Sequence, residues 1–245
     1  MSNCPVCDTW PTDEFGDLRR CPSCAHVFQL PAIVTAVYDA DYVGRYAAYP
    51  TDEMSLLRVG FLKAHVSTGR LLDVGYGNGA FLRTAQAAGF ETFGHEIHGG
   101  DFGIDEVNIR TDSSLWDVVT FFDSLEHFPD FEVVRSLVRR SRFVLVSLPL
   151  YPPEFPAIRT WKHYKPGEHL HYFSRESLRR LVGQELIMAS NLEDVIRRPS
   201  NCHQNILTCL FANQVVSPGW TISGTSKMTG RELNQDASIV GAQRM

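Results

Sequence analysis

The sequence predicts an α/β fold built on a doubly wound, mostly parallel sheet, preceded by a small cysteine-rich module. Strand-like and helix-like segments alternate from residue 69 to about residue 213, which is typical of a parallel sheet covered by helices on both faces. The run Trp116–Phe122 is continuously apolar, β-branched or aromatic apart from one aspartate, as in a strand buried on both sides. Four of the six cysteines stand within the first 24 residues, in two C-x-x-C pairs.

The order of strands and helices is predicted from the spacing of apolar residues and from residues that favour the start or the end of a helix. Gly89 marks the end of one helix and Ser174 the start of another, because glycine suits a helix C-terminus and serine an N-cap. The predicted strands cover residues 70–74, 91–96, 116–122, 142–148, 185–189 and 205–211. The predicted helices cover residues 54–62, 81–88, 133–140 and 174–182.

Four regions are predicted along the chain. Residues 1–31 hold the paired cysteines, and residues 69–213 hold the alternating strands and helices. Between them, residues 32–68 form a tyrosine-rich linker followed by a lead-in helix. Residues 214–245 are polar and lack an apolar period, so we expect a flexible tail.

Composition and charge leave most classes of protein open, but they disfavour some partners and locations. The chain has 245 residues, of which 44% are hydrophobic and 21% charged, enough to bury a substantial core. Its net charge of -5 disfavours a nucleic-acid partner. The longest apolar stretch, residues 143–151, is too short to cross a bilayer, and no signal peptide is recognisable, so the cytoplasm is expected. Cys202 and Cys209 are expected to be inert buried thiols.

The four N-terminal cysteines predict a structural zinc site. Their spacing is C-x2-C-x13-C-x2-C, in which each pair forms a tight turn that directs two thiolates at one ion. Two such turns complete a tetrahedral site with no open position, which is the arrangement of structural zinc. About thirty residues cannot bury enough surface to fold alone, so the metal would supply the missing free energy. The predicted ligands are Cys4, Cys7, Cys21 and Cys24.

A glycine-rich loop after the first predicted strand indicates a nucleotide-type ligand. Glycines at this point let the backbone turn sharply at the start of a helix and approach a ligand closely. Glu96 ends the next strand, where an acid can hold a ribose diol. The spacing also satisfies a relaxed dinucleotide pattern, G-x-G-x-x-A, so an NAD-type oxidoreductase stays open. Two residues argue against an oxidoreductase. They are Asp73, which could meet an α-ammonium group, and Gly79.

The stretch Leu72–Gly79, Leu-Asp-Val-Gly-Tyr-Gly-Asn-Gly, resembles motif I of class I S-adenosylmethionine (SAM)-dependent methyltransferases. The resemblance continues at residues 117–130, which correspond to the family's fourth strand and the loop after it. It continues again at Glu168–Ser174, Glu-His-Leu-His-Tyr-Phe-Ser. Three motifs in the family's order cover residues 69–185 and imply its Rossmann-like fold.

This resemblance implies a SAM-dependent methyltransferase with structural zinc as a second cofactor. The acceptor is expected to be a small polar metabolite, with a sugar or nucleotide-linked sugar as first choice. The expected cofactor-binding residues are Asp73, Gly75, Tyr76, Gly77, Asn78, Gly79, Glu96, Asp123, Ser124 and Leu125. The candidate catalytic residues are Glu126, His127, His169 and His171, since imidazole can accept a proton near neutral pH.

Two further functions stay open beside this one. An RNA methyltransferase would use the cysteine module for docking, but residues 1–31 carry only Arg19 and Arg20 as cations, against four acids. A non-catalytic SAM- or nucleotide-binding protein is kept open by the short segment between Glu96 and Asp117. That segment has room for a very short helix at most, and it offers no assignable partner for adenine.

The long connection from Pro149 to Phe173 is expected to cover the acceptor. It is rich in aromatic residues and prolines, and long connections in compact domains are usually functional or disordered. Its two histidines stand two residues apart, so on an extended chain their side chains point to opposite sides. Only one of them should therefore face the cofactor, and we favour His169 over His171.

Overall fold

The computed structural model of the protein describes residues 3–10, 13–35, 52–97, 102–152, 154–197 and 205–214. The four tyrosines of the predicted linker, Cys202 and the predicted tail beyond Gln214 lie outside these ranges.

Within the described residues, ten strands form two sheets. They are β1 Asp13–Phe15, β2 Leu18–Arg20, β3 Val27–Gln29, β4 Gly69–Val74, β5 Phe90–His95, β6 Trp116–Phe122, β7 Ser141–Pro149, β8 His171–Tyr172, β9 Glu185–Ser190 and β10 Ile206–Ala212. The larger sheet has the order β5-β4-β6-β7-β10-β9, and the smaller one has the order β1-β2-β3-β8.

The helices follow the predicted pattern. They are α1 Asp52–Lys63, α2 Ala80–Ala87, α3 Glu132–Arg139, α4 Arg175–Val182 and α5 Leu192–Ile196, with 3-10 turns at Leu125–His127 and Phe155–Thr160. Helix α4 begins after Ser174, whose Oγ accepts a hydrogen bond from the backbone N–H of Ser177 at 3.0 Å. It ends at Gly183, which adopts a φ of 65 that favours glycine. The Ser174 signal explains why the start of this helix could be located from sequence.

The larger sheet is parallel where strands alternate with helices. Strand β4 runs parallel to β5 and β6, and β6 runs parallel to β7, while β10 pairs antiparallel with both β7 and β9. Its central strands are buried on both sides. One face packs with α3 and α4 through Leu72, Val119 and Val144, and the other packs with α1 and α2 through Leu71, Val118 and Leu145. The predicted fold class is therefore confirmed.

The smaller sheet joins the cysteine-rich module to the rest of the protein. Its fourth strand, β8, comes from the connection that follows β7, and Val27 and Phe28 of β3 pair with Tyr172 and His171. Three of the cysteines also lie in the same buried cluster as Leu72 of the large sheet. The module therefore shares backbone hydrogen bonds and core packing with the α/β domain.

The chain between β5 and β6 contains little regular structure in its described part, as its short length predicts. The described residues 102–115 contain no helix and no strand, only a single parallel bridge between Gly94 and Glu106. Glu106 thus takes the place of a further edge strand beside β5. Among the described helices, none has the length and apolar character needed to traverse a lipid bilayer.

Candidate active site and cysteine cluster

The glycine loop lies between β4 and α2, at the carboxyl edge of the sheet. Gly75, Gly77 and Gly79 have positive φ values of 85, 57 and 72, a region that other residues adopt only with strain. A Cβ atom at Gly75 would lie 2.9 Å from Cβ of Ser124, so the loop and the connection after β6 touch there. A Cβ atom at Gly77 would have no neighbour within 4 Å among the described residues, so this part of the loop is open on the side that they form.

Glu96 lies beside this loop. Its carboxylate accepts a hydrogen bond from the backbone N–H of Gly77 at 3.1 Å and another from the N–H of Ile97 at 2.9 Å. The loop is also tied to β5, because the N–H of Gly75 donates to the carbonyl of His95 at 2.7 Å. An acid and the open position of the glycine loop therefore lie next to each other, as the sequence predicts for a group that holds a ribose diol.

Tyr76 and Asn78 maintain the shape of the loop. The Tyr76 ring is buried against Gly94, and its hydroxyl donates a hydrogen bond to the Glu106 carboxylate. The Asn78 side-chain oxygen accepts from the N–H of Ala80 at 3.0 Å, at the first turn of α2. These are contacts within the protein, and direct contact of either residue with a cofactor stays a prediction.

Asp73, the residue before the end of β4, is a buried carboxyl group. Thr120 of β6 donates its hydroxyl to Asp73 Oδ1 at 2.7 Å. Burial raises the pKa of Asp73 to about 7, while the Thr120 hydrogen bond and the nearby Arg58 guanidinium favour the ionised form. A cationic ligand beside Asp73 would favour that form further.

The connection after β6 contains three of the predicted cofactor residues. Asp123 has a φ of 49 and forms an ion pair of 2.7 Å with Arg197. The Ser124 hydroxyl is buried and has no hydrogen-bond partner among the described residues. The Leu125 side chain is packed in the hydrophobic core, so only its backbone could meet a ligand.

Glu126, His127 and His169 form a compact group, which we call the carboxylate–histidine group. One donor atom from each residue lies within 4.8 Å of the others. The rings of His127 and His169 are perpendicular, with centroids 4.8 Å apart. The N–H of Leu170 donates to the carbonyl of Glu126 at 2.8 Å, which holds the two chain segments together.

Burial controls the charge of this group. Together with a contribution from the Asp123 carboxylate, it raises the pKa of Glu126 to about 8. It lowers the pKa of His127, and it lowers the pKa of His169 to about 3. Both imidazoles are therefore neutral at pH 7 and can accept a proton or bind a cation.

His171 does not belong to this group, although it was a candidate catalytic residue. Its Nε2–H donates to the carbonyl of Phe128 at 2.9 Å, so its Nδ1 accepts from Nε2–H of His26 at 3.1 Å. The side chain is buried between β3 and α3, because strand β8 directs His171 away from His169. We therefore assign His171 a structural role at the join with the cysteine module.

Sequence reasoning missed several charged and polar residues near the site. The Nε2 atom of His163 is buried without a hydrogen-bond partner among the described residues, and burial lowers the pKa of this imidazole to about 4. Arg58 forms a buried two-point ion pair with Glu193, at 3.0 and 2.9 Å. An arginine within the apolar pattern of the lead-in helix was a usable signal for a buried partner, whereas nothing local marks His163.

The cysteine cluster has the geometry of a four-thiolate metal site. The sulfur atoms of Cys4 and Cys24 are 3.6 Å apart, and Cys7 lies 3.5 Å from both Cys21 and Cys24. A tetrahedral zinc ion with its usual bond lengths requires sulfur separations of about 3.8 Å. A hydrogen bond from the Cys24 side chain lowers the pKa of Cys4 to about 5, so a thiolate forms readily there. These four residues fit the expected ion.

The aromatic connection after β7 packs against the cysteine module. Tyr151, Ile158 and Tyr172 form one buried cluster with Leu18 and Val27 of the module. Tyr164 lies at its edge, so Tyr164 and Tyr172 both face the module. That this connection also covers the acceptor stays a prediction.

Comparisons with known proteins identify the family. The sequence profile of a family described as a methyltransferase domain matches residues 46–185, more than half of the chain. No curated protein sequence matches significantly.

Solved structures share the fold at low identity. Magnesium protoporphyrin IX methyltransferase from Synechocystis PCC 6803, solved with bound SAH, is 14% identical with a TM-score of 0.50, and the match covers 74% of this chain and 91% of that one. A SAM-dependent methyltransferase from Clostridium acetobutylicum ATCC 824 is 10% identical with a TM-score of 0.51, over 71% of this chain and 98% of that one. With the profile match and the glycine loop, they lead to one conclusion: this chain belongs to the methyltransferase domain family and is a SAM-dependent methyltransferase.

Proposed function

We propose that this enzyme transfers the methyl group of SAM to an oxygen, nitrogen or carbon atom of a small polar metabolite. A sugar or a nucleotide-linked sugar is our first choice of acceptor. The observation that carries the proposal is the place of the carboxylate–histidine group. It follows Ser124, which touches Gly75 of the glycine loop, so proton-accepting groups and the proposed cofactor loop share one edge of the sheet.

We assign the cofactor to the glycine loop and its neighbours. Gly75, Gly77 and Gly79 would lie against it, and Glu96 would exchange its hydrogen bond from Gly77 for the ribose hydroxyls. Asp73 would meet the α-ammonium group of the methionine portion. The unpartnered hydroxyl of Ser124 is available for a polar cofactor atom, which supports its assignment beside Asp123.

For a hydroxyl acceptor, the reaction places that oxygen in line with the sulfonium methyl group. A bond forms between the acceptor oxygen and the methyl carbon, while the bond between carbon and sulfur breaks and its electron pair stays on sulfur. The acceptor proton passes to a neutral imidazole, for which His127 and His169 are the candidates. Much of the acceleration in such a reaction comes from alignment.

The charge of the cysteine module supports a small acceptor over RNA. Arg19 pairs with Glu14 and Arg20 pairs with Asp13, each at 3.1 Å, so both guanidinium groups are already engaged. Binding to RNA requires several cations that are available to phosphates. A module with these ion pairs and a net negative charge lacks that surface.

For the cysteine cluster we propose one structural zinc ion and a domain order that keeps the predicted boundaries. Residues 1–31 would form the zinc ribbon, 32–68 the lead-in and 69–213 the methyltransferase domain. The ion would hold the two turns together through four thiolates, and its chemistry would be structural because no coordination position is left. Reduced thiols persist in the cytoplasm, which stays our predicted compartment.

The proposed catalytic group is tested by His127→Ala and His169→Ala, made separately. Each should lower turnover by about 100-fold while SAM affinity stays unchanged, because the imidazoles act on the acceptor and not on the cofactor. Turnover is measured with labelled SAM against fractionated metabolites, sugar nucleotides and RNA. His65→Ala, an exposed histidine after α1, is the matched control.

Full activity in both variants would overturn the assignment. Labelling of RNA in place of the metabolites would overturn the acceptor class and leave the cofactor site standing.

A further inference from the structure

We propose that Glu126, His127 and His169 bind a divalent first-row transition-metal ion, separate from the metal of the four cysteines. Two imidazoles and one carboxylate are a ligand set that Zn²⁺, Mn²⁺, Co²⁺ and Fe²⁺ all accept. The three donor atoms already converge to within 4.8 Å of one another, and small side-chain rotations would bring them to coordination distance.

Both histidines have the outer hydrogen bond that metal-binding histidines need. Nδ1–H of His127 donates to the carbonyl of Glu168 at 3.0 Å, which fixes the tautomer protonated on Nδ1. A ring N–H of His169 is likewise bonded to the carbonyl of His163. Such bonds to backbone carbonyls fix the tautomer and orient the other nitrogen toward the ion.

The carboxylate supplies the second, independent observation. Glu126 is 3% exposed, and neither of its oxygens is hydrogen-bonded to another residue of the described chain. A buried carboxylate without partners is costly, and binding a cation is one of the few ways to offset that cost. Arg197, whose charge acts on Glu126, forms its ion pairs with Asp123 and Glu193 instead.

Three protein ligands leave coordination positions open. A metabolite with neighbouring hydroxyl or carbonyl oxygens could occupy them and would be oriented toward the sulfonium methyl group. This step deepens the proposed function and rests on it. The ion would lower the pKa of the bound hydroxyl, whose proton would then leave to solvent instead of to His127 or His169.

The test is a titration of the full-length, zinc-loaded protein with Mn²⁺ alone, followed by electron paramagnetic resonance of free Mn²⁺. Mn²⁺ prefers carboxylate and imidazole ligands and does not displace zinc from thiolates. We expect one Mn²⁺ per chain in the parent protein. Glu126→Gln keeps the side-chain volume, and His169→Gln removes a ligand from the other segment; each should weaken binding by about 100-fold, since even outer-shell changes cost up to that much.

Asp130→Asn is the matched control, because this exposed acid on the same connection lies outside the group and its hydrogen bond to Glu132 N is retained. Binding that is unchanged in both variants, or absent from the folded parent, would overturn the metal site. SAM affinity is measured on the same samples by calorimetry. A protein that binds SAM but no Mn²⁺ refutes only the metal site, whereas one that binds Mn²⁺ but transfers no methyl group refutes only the proposed function.

Discussion

The cysteine cluster and the carboxylate–histidine group both collect metal-binding atoms within 4.8 Å, yet they differ in origin and in openness. The cysteines come from one segment of about 20 residues, and four thiols occupy every position of a tetrahedral ion. The other group joins the connection after β6 to the connection after β7, with Glu126 and His169 far apart in sequence. It offers only three donors. An ion with all its positions filled by protein suits a structural role, whereas an ion with open positions can also bind a substrate.

The two groups are nevertheless mechanically linked. The N–H of Gln29 in the cysteine module donates to the carbonyl of Leu170 at 2.9 Å, directly beside His169. Strand pairing between β3 and β8 and the buried contact of His26 with His171 extend this link. The cysteine module therefore supports the segment that contains His169. Loss of a ligand from the cysteine cluster should also disturb the carboxylate–histidine group.

The largest effect is expected from Cys24→Ser, which removes one thiolate from the cysteine cluster. We expect the zinc content to fall below about half an equivalent and the free energy of unfolding to drop by about 5 kcal/mol, because metal binding supplies much of the folding energy of such a module. Turnover should also fall, since His169 loses its support. Elemental analysis, chemical denaturation and labelled-SAM assays measure the three effects.

Cys209→Ala is its control, because this buried thiol of β10 is not one of the four grouped sulfur atoms. Turnover that survives the loss of zinc would break the proposed link between the groups. A full equivalent of zinc in the Cys24 variant would instead contradict the four-thiolate site.

A smaller effect is expected at the cofactor side with Glu96→Ala. Loss of a charged group that holds the ribose should cost about 1.5–3 kcal/mol of SAM affinity, or roughly tenfold or more. Zinc content and Mn²⁺ binding should stay unchanged, which would separate the cofactor loop from both metal-binding groups. Calorimetry measures the affinity.

Glu91→Ala, an exposed acid on the same strand, is the comparison variant and should bind SAM normally. Equal affinity in the Glu96 and Glu91 variants would remove Glu96 from the cofactor site. Tight NAD binding without SAM binding would return the glycine loop to the dinucleotide alternative.

The smallest effect is a pH dependence of SAM affinity through Asp73. Because burial raises the pKa of this carboxyl to about 7, it loses its charge as the pH falls, and its ion pair with the α-ammonium group weakens. One group with this pKa predicts a decrease in affinity of about tenfold between pH 8 and pH 6. Calorimetry at several pH values should show this slope in the parent protein.

Asp73→Asn should bind SAM more weakly and with a flatter pH profile. A parallel decrease in both proteins would assign the titration to another group.

The same raised pKa of Asp73 has the opposite consequence for the stability of the fold. Between about pH 4 and pH 7 the folded state binds more protons than the unfolded one, so the contribution of Asp73 to stability decreases as pH rises through this window.

What could be predicted from sequence was whatever depends on neighbours along the chain. The cysteine spacing, the glycines of the loop, the Ser174 cap and the buried run of β6 each encode a local geometry within a few residues, so they were located to within one or two positions. The alternation of strands and helices then limits the fold to a doubly wound sheet.

Tertiary structure alone decided how distant segments meet. Alternation along the chain separates His169 from His171, but only the pairing of β8 with the cysteine module decides that one meets Glu126 and the other His26. Arg58 acquires Glu193, and Arg197 acquires Asp123, from elements far away in the chain. Burial, which sets the pKa values of Asp73 and Glu126, is likewise a property of the packed molecule, because desolvation depends on every surrounding segment at once.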